Sequence, residues 1–245
     1  MAPVAEHRLD VITALRPATT DEDRSYFEAA LTSFRSQAIP PGWQVTWLLH
    51  SDGPMTDDLR EMLEASGLDV RIGTSLRSYG ESTARNLALA SGEGEFVTCF
   101  DDDDVLPPGA LTQRIAGLSD RDWWASKALD LVDGVLIDSH PLVHVAGEMP
   151  PGRVRSWWGA YGYVPFHPAT FTTRRSLVYA AGGWAALPRE GDIALILRIT
   201  DRHPGIVEDV ATLHYRKYAA QTTRTVQRDA AMQRFVDASA DTSAV

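Results

Sequence analysis

Four consecutive aspartates, Asp101, Asp102, Asp103 and Asp104, follow the apolar residues 96–100. Two unit charges ~6 Å apart repel by roughly 3 kcal/mol at an effective dielectric of about 20, so a folded chain relieves such a run with protons, hydrogen bonds or a cation. In extended backbone Asp101 and Asp103 project to one side and Asp102 and Asp104 to the other. Mg²⁺ or Mn²⁺ binds one or two carboxylates together with substrate phosphates. The run predicts such a site; an acidic loop that caps the next helix is the alternative.

Four strand–helix alternations in the first 118 residues must position this run. The predicted strands cover residues 9–15, 44–49, 70–72 and 96–100, and the predicted helices begin near Thr20, Thr56, Ser82 and Pro107. Such alternation is typical of a mostly parallel sheet, in which ligands bind at the carboxyl ends of the strands. Those ends carry Arg16, Asp52 and the aspartates, so we expect a polar site there.

The second half of the chain has a different pattern. Asp133-Gly134 between two short apolar runs predicts a hairpin that extends the first sheet. A segment rich in Pro, Gly, Trp and Arg, residues 148–163, is interpreted as a mobile loop. The remaining predicted elements are strands at 166–171 and 206–215 and helices at 175–181, 192–202 and 224–235.

Composition limits the class of protein. The chain has 245 residues, 44% of them hydrophobic, which suits one large α/β domain or two small ones. Its net charge of −10 disfavours a protein that follows nucleic-acid phosphates. No apolar stretch approaches membrane-spanning length, and the first ten residues lack the pattern of a secretory signal. The single cysteine, Cys99, lies in an apolar run and is expected to be a core thiol. These features predict a cytoplasmic protein.

The segment 80–111, GESTARNLALASGEGEFVTCFDDDDVLPPGAL, resembles the core signature of family 2 glycosyltransferases. That signature has an Ala-Arg-Asn helix, a Gly-Glu pair, a buried strand, an Asp-x-Asp motif and a proline. The resemblance implies a GT-A (Rossmann-like) fold with a mostly parallel central sheet flanked by helices and a smaller acceptor-side part. It implies a nucleotide-sugar-binding half at 1–118, an acceptor-binding half of the same domain at 119–236 and a disordered tail at 237–245. The implied activity is inverting, hexosyltransferase-like transfer from a nucleotide sugar, with a UDP-sugar favoured because that donor is the most frequent in the family.

The resemblance also implies roles for the first-half residues. Asp101 would contact the ribose or the metal, Asp102 would bind the donor, and Asp103 would bind the Mn²⁺ or Mg²⁺ ion that holds the diphosphate. The base pocket would be formed by residues at the strand ends and on the third helix, namely Leu15, Arg16, Asp52 and Arg85. Asp52 could instead make a turn with Gly53, and Arg85 could pair with a surface carboxylate.

Residues 180–198, AAGGWAALPREGDIALILR, resemble a second signature of the family, a Gly-Gly turn followed by Glu-Asp-x-x-Leu and an arginine. It puts Asp192 at the position of the catalytic base, which removes a proton from the acceptor hydroxyl during attack on the anomeric carbon. Gly191 stands where the family usually has Glu, and Glu190 is the candidate substitute. The alternative is that Asp192 is only a helix N-cap.

The segment 214–222 resembles the family's Tyr-Arg-x-His-x-x-Gln segment, but Tyr218 stands at the position of the metal-binding histidine. His214, four residues earlier, is the candidate replacement ligand, although a lone histidine is more often a packed or surface residue. Arg216 and Lys217 would neutralise diphosphate charge in either case.

The acceptor side offers His167 before Pro168 and several aromatic residues of the loop, among them Trp157 and Trp158. Exposed aromatic rings stack on sugars or apolar aglycones, and the same rings are equally compatible with a core. The acceptor is left open between a carbohydrate, a lipid-linked glycan and a small molecule, and a homodimer is also left open.

Two other functions fit part of the pattern. Residues 100–105, FDDDDV, also fit the nucleophile motif of haloacid-dehalogenase-like phosphatases, with Asp101 as nucleophile and Asp103 as acid/base. The motif lies far from the N-terminus, and the downstream acidic pair of such phosphatases is missing. The other alternative is a GT-A module that binds a nucleotide sugar without transferring it.

Overall fold

The computed structural model describes residues 6–17, 20–118, 120–139, 145–187, 190–219 and 221. The predicted helix at 224–235 and the predicted tail at 237–245 lie outside these residues. The described strands are β1 (His7–Leu15), β2 (Trp43–Ser51), β3 (Val70–Thr74), β4 (Phe96–Cys99), β5 (Trp123–Val132), β6 (Val135–Ile137), β7 (Gly147–Met149), β8 (Thr172–Arg174) and β9 (Gly205–Arg216). The described helices are α1 (Asp21–Arg35), α2 (Asp57–Glu64), α3 (Glu81–Ser91), α4 (Ala110–Leu118), α5 (Arg153–Tyr161), α6 (Arg175–Ala180) and α7 (Gly191–Thr200), with a 3₁₀ turn at Pro168–Thr170.

All nine strands belong to one sheet with the order β3-β2-β1-β4-β8-β5-β9-β7, and β6 pairs with β5. β1 to β4 are parallel, as predicted. β8 is antiparallel to both β4 and β5, and β5 is parallel to β9. β4, β5 and β9 therefore run in the same direction, and their carboxyl ends lie at one edge of the sheet. The hairpin of β5 and β6 is confirmed as an extension of this sheet.

Helices cover both faces of the sheet. Alternate residues of a strand point to opposite faces, so one strand contributes to both cores. Leu9 and Val11 of β1 pack in a core with residues of α1, α2 and α4. Ile12 of the same strand packs in a second core with residues of α3, α5, α6 and α7. The predicted α/β class with a helix-flanked central sheet is thus confirmed.

The predicted loop at 148–163 is wrong, because this segment contains β7 and α5. Gly152 and Gly162 occupy left-handed conformations at the two ends of α5, so they end a helix and do not make the segment flexible. Val154 and Trp158, four residues apart, are buried on one side of the helix.

The predicted strand at 166–171 is also wrong. Pro168 begins a 3₁₀ turn, and the side chain of His167 accepts a hydrogen bond from the Ala169 N–H at its start. Proline lacks the N–H that a central strand must donate, so β8 begins only at Thr172.

Arg114 of α4 is fully buried beneath the end of β4. Its guanidinium donates to Thr98 Oγ1 at 2.8 Å, to the Cys99 carbonyl at 3.0 Å, to the Ala169 carbonyl at 3.0 Å and to the Thr212 carbonyl at 3.1 Å. Burial lowers the pKa of Arg114 to about 10, which leaves it charged at neutral pH. One side chain therefore joins α4, β4, the 3₁₀ turn and β9.

Candidate functional site

The carboxyl end of β4 carries the aspartate run, and arginines from three elements contact it. Arg85 of α3 donates to Asp101 Oδ1 at 2.8 Å and also pairs with Glu81, one helical turn earlier. The Arg85 side chain is buried, while that of Asp101 is partly exposed. A direct ion pair therefore joins Arg85 to the aspartate run.

The next two carboxylates contact Arg16, which follows β1. The Arg16 backbone N–H donates to Asp102 Oδ2 at 2.8 Å, and its Nη2 donates to Asp103 Oδ2 at 2.9 Å. Tyr218 Oη donates to the same Asp103 oxygen at 2.7 Å and accepts from Arg16 Nη2 at 2.7 Å. Arg16, Tyr218 and Asp103 thus form a closed triangle, defined here as the Arg16–Tyr218–Asp103 triad.

Asp104 is fully buried and turns towards β9. Its Oδ1 accepts from the Arg216 N–H at 2.9 Å, while Arg216 Nε donates to the Asp103 carbonyl at 2.7 Å. The Arg216 guanidinium lies over the Tyr26 ring, 4.3 Å from its centroid. These contacts attach the aspartate run to β9 and α1.

The neighbouring arginines do not fully offset the effect of burial and mutual repulsion on the carboxylates of the aspartate run, because three of their pKa values are raised. Burial raises the pKa of Asp102 to about 7, the neighbouring Asp103 raises it as well, and Arg16 opposes the shift. Burial and neighbouring carboxylates also raise the pKa of Asp103 and of Asp104. A cation at this position would favour the ionised carboxylates, so the electrostatics agree with a site for positive charge.

The fit of a divalent ion depends on which oxygens are available. Across the part of the chain that the structure describes, no three His, Cys, Asp or Glu side chains form a group that could hold a metal ion. His214 is therefore not grouped with Asp101 and Asp103; its backbone pairs with Val105, and burial lowers its pKa. Mg²⁺ and Mn²⁺ need only one or two carboxylates when phosphates supply further oxygens, so the donor set fits such an ion together with a diphosphate.

Asp52 lies at the end of β2 and contacts the start of α3. Its carboxylate accepts from the Tyr79 N–H at 2.6 Å, from the Gly80 N–H at 3.0 Å and from Ser78 Oγ at 2.7 Å. Its own N–H donates to the carbonyl of Leu15 at 2.9 Å. Asp52 therefore joins the ends of β1 and β2 to the loop before α3, and the Leu15 side chain is buried in the core.

Asp192 lies in the first turn of α7, close enough to Arg85 to help raise the pKa of that guanidinium. It lines a small cavity with Thr98, Cys99 and Trp184. Burial raises the pKa of Cys99 to about 12, Arg85 lowers it, and Asp101 and Asp192 both raise it. Asp192 and Asp101 therefore both lie close enough to the buried Cys99 and Arg85 to shift their pKa values.

The alternative that Asp192 is a helix N-cap is wrong. The N-cap of α7 is Glu190, which has a left-handed backbone with φ of 64°. Asp192 is the second residue of the helix, and its Oδ1 accepts from the Ile193 N–H at 2.8 Å. Glu190 thus lies immediately before the helix that carries Asp192.

Gly191 is the contact between α7 and α3. A Cβ atom placed on it would lie 2.2 Å from Ser82 Oγ and 2.8 Å from the carbonyl oxygen of Ala185. A glutamate, the residue expected from the family pattern, does not fit there. The glycine lets the start of α7 approach the start of α3, which brings Asp192 near Arg85.

We expect Gly191→Ala to destabilise the protein by about 1–3 kcal/mol, because the added methyl group overpacks this contact. The matched control is Gly159→Ala in α5, where a Cβ meets nothing within 4 Å. That change should be neutral or stabilise by up to about 1 kcal/mol, since alanine favours a helix. Urea unfolding of both variants checks the difference; equal stabilities would contradict the close contact.

The acceptor-side candidates separate into two groups. Trp158 is buried in the core under α5, so it does not present a free ring. Trp157 packs with the exposed rings of Tyr161 and Tyr163, with centroids 4.4 Å and 6.4 Å away. Burial lowers the pKa of His167 to about 4, and its ring packs on Tyr215. The three aromatic side chains on α5 and after it are therefore the ones open to a ligand.

Two site contacts were not expected from sequence. Tyr26 of α1 packs on Tyr218, with ring centroids 5.1 Å apart, and Glu81 pairs with Arg85. The spacing of four residues between Glu81 and Arg85 on a helix is a signal that predicts such a pair. No local pattern links Tyr26 to Tyr218.

Residues 18–122, which contain the aspartate run, match the family model described as Glycosyl transferase family 2. The resemblance to family 2 glycosyltransferases is thereby confirmed. The matched segment contains β2, β3 and β4, the aspartate run, and Arg85 of α3, which pairs with Asp101. No curated protein matches the chain in sequence.

Solved structures show the same fold at low sequence identity. TarS of S. aureus in complex with UDP-GlcNAc has a TM-score of 0.72 and 17% identity over 95% of this chain and 66% of that chain. Its complex with UDP has a TM-score of 0.66 and 19% identity over 86% of this chain and 60% of that chain. The mannosyltransferase PcManGT of Pyrobaculum calidifontis, in complex with GDP-Man and Mn²⁺, has a TM-score of 0.56 and 16% identity over 88% of this chain and 59% of that chain.

These similarities confirm the GT-A fold of this chain. The chain spans less than two thirds of the length of each of these solved structures. Among the helices within the described residues, none has the length and apolar character needed to cross a membrane.

Proposed function

We propose that this chain is an inverting glycosyltransferase that moves a sugar from a nucleotide-sugar donor to an acceptor hydroxyl. A UDP-sugar is the favoured donor, divalent-metal dependence is part of the proposal, and Asp192 is the general base. The family match supports glycosyl transfer. The complexes of TarS with UDP-GlcNAc and UDP support a nucleotide-sugar donor of this kind.

The observation that carries the proposal is that carboxylates from two parts of the chain lie near the carboxyl end of β4. Asp101 and Asp103 follow this strand and lie beside Arg85 and Arg16. Asp192 of α7 lines a small cavity together with Thr98 and Cys99 of the same strand. A transferase needs these two functions, one to hold a charged leaving group and one to activate an acceptor, in adjacent positions.

In the proposed reaction Asp192 accepts the proton of the acceptor hydroxyl as its oxygen bonds to the anomeric carbon of the donor sugar. The bond from that carbon to the diphosphate oxygen breaks, and the nucleoside diphosphate leaves with the electron pair. In this scheme the guanidinium groups of Arg16 and Arg216 neutralise the departing charge. A divalent ion held by Asp101 and Asp103 would add positive charge at the same phosphates.

The phosphatase alternative is set aside. The Glycosyl transferase family 2 match includes residues 101–104, the run on which that alternative depended. Asp101, the nucleophile in that scheme, is paired with the buried Arg85. A silent nucleotide-sugar-binding module differs from the proposed enzyme only in turnover, so assays of Asp192 distinguish the two.

The test is a thermal-shift panel of UDP, GDP, dTDP and CDP, each with and without Mn²⁺. A ligand that binds only the folded protein at 100 times its Kd stabilises it by about 2.7 kcal/mol. We expect UDP with Mn²⁺ to raise the Tm most. If none of the four nucleotides raises the Tm under either condition, donor binding is wrong and the proposed function fails.

A further inference from the structure

The Arg16–Tyr218–Asp103 triad satisfies the carboxylate that the resemblance assigns to a metal ion. Asp103 Oδ2 accepts from Arg16 Nη2 at 2.9 Å and from Tyr218 Oη at 2.7 Å. Arg16 and Tyr218 also bond to each other at 2.7 Å. A divalent ion that bound this oxygen would have to displace a guanidinium and a phenol that already hold it.

Exposure shows which part of the triad can move. The Arg16 side chain is 46% exposed, whereas that of Asp103 is only 13% exposed, so the guanidinium lies on the solvent side of the carboxylate. The Arg16 backbone is fixed separately by its N–H bond to Asp102 at 2.8 Å. The guanidinium can therefore leave Asp103 through side-chain rotation alone, while the main chain keeps its place.

Tyr218 stands at the position where the resembled family pattern has a metal-binding histidine. A neutral phenol that donates to Asp103 is not a ligand that hard divalent ions prefer. The same hydroxyl accepts from Arg16 and so orients the guanidinium on the carboxylate. Tyr218 thus holds the Arg16 guanidinium on Asp103, whereas a histidine at this position would bind a metal ion.

We propose that Arg16, oriented by Tyr218, is a built-in counter-ion that competes with a divalent ion for Asp103 and moves onto the diphosphate when the donor binds. This inference rests on the proposed donor site. It predicts that the protein without nucleotide binds Mn²⁺ weakly, and that nucleotide and Mn²⁺ are taken up together. Opposite charges that are close and partly buried exchange partners when a stronger anion such as a diphosphate enters.

The direct test is Mn²⁺ titration followed by the electron paramagnetic resonance signal of free Mn²⁺, with no nucleotide present. We expect Arg16→Gln to bind Mn²⁺ at least about tenfold more tightly than wild type, because a charge-assisted hydrogen bond no longer competes. Tyr218→Phe should shift the affinity in the same direction by a smaller factor. The control is Arg8→Gln at the opposite end of β1, where Arg8 pairs with Glu93 at 3.6 Å; it should leave Mn²⁺ affinity unchanged.

A second titration adds UDP. Wild type should gain Mn²⁺ affinity with UDP by a larger factor than Arg16→Gln, because only wild type must first release Asp103. Equal Mn²⁺ affinity of wild type and Arg16→Gln, including no measurable binding by either, would overturn the competition. That result with nucleotide binding intact rejects only this inference, whereas loss of all nucleotide binding by wild type rejects the proposed function.

Discussion

Asp192→Asn is expected to bind nucleoside diphosphate as wild type does and to transfer sugar about 10²–10⁴-fold more slowly, the usual contribution of a general base. The amide keeps the size of the side chain but cannot accept the acceptor proton. Initial rates of donor consumption with acceptor present, at saturating donor and Mn²⁺, give the transfer rate, and calorimetry with UDP gives donor binding.

The control is Asp57→Asn, which removes a carboxylate from the first turn of another helix, α2. Its transfer rate should equal that of wild type, so a general helix-dipole effect is separated from loss of the base. A wild-type rate for Asp192→Asn would remove Asp192 from the mechanism. Donor binding by wild type without any turnover of donor would favour the silent module.

Arg114→Met is expected to lower the free energy of unfolding by about 3–4 kcal/mol, because several buried acceptors lose their donor at once. The acceptors are the Thr98 hydroxyl and the carbonyls of Cys99, Ala169 and Thr212. Methionine fills much of the volume but donates no hydrogen bond. Urea unfolding at neutral pH measures the loss.

Arg121→Met is the matched control, since Arg121 follows the same helix but lies near the surface and contacts Glu148 at 3.5 Å. Its loss should be within about 0.5 kcal/mol. If the two variants were equally stable, Arg114 would not be the support for the end of β4. The aspartate run begins two residues after Cys99, so a folded Arg114→Met protein should also bind donor more weakly.

The parallel half of the sheet could be predicted because its strands and helices have clear local signals. Thr20, at the predicted start of α1, forms a capping box with Asp23, and Gly92 ends α3. The prediction of a mobile loop at 148–163 is wrong because the glycines and aromatic residues of α5 are also typical of loops. Whether Gly152 ends a helix or loosens a loop depends on burial of Val154 and Trp158, which is a tertiary property.

The site could be predicted only as a set of candidates. Sequence pattern indicated Arg85, the aspartates and Asp192, and the structure brings these together at one edge of the sheet. The sequence pattern could not predict that Arg16 and Tyr218, 202 positions apart, would form a hydrogen bond with each other while both donate to Asp103. In the sheet β4, β8 and β5 lie between β1 and β9, so this contact is made by the chain that follows β9, and local spacing does not predict it.

β8 is the antiparallel strand between β4 and β5, two strands that run in the same direction. β8 meets β4 through only three residue pairs, from Phe96 with Arg174 to Thr98 with Thr172. Its first residue therefore lies beside the last part of β4, close to the start of the aspartate run. Under the proposed function, replacing the segment from α5 to β8 would change the acceptor side while β1 to β4 keep their sequence, so the short β4–β8 contact is the junction to choose for chimeric proteins.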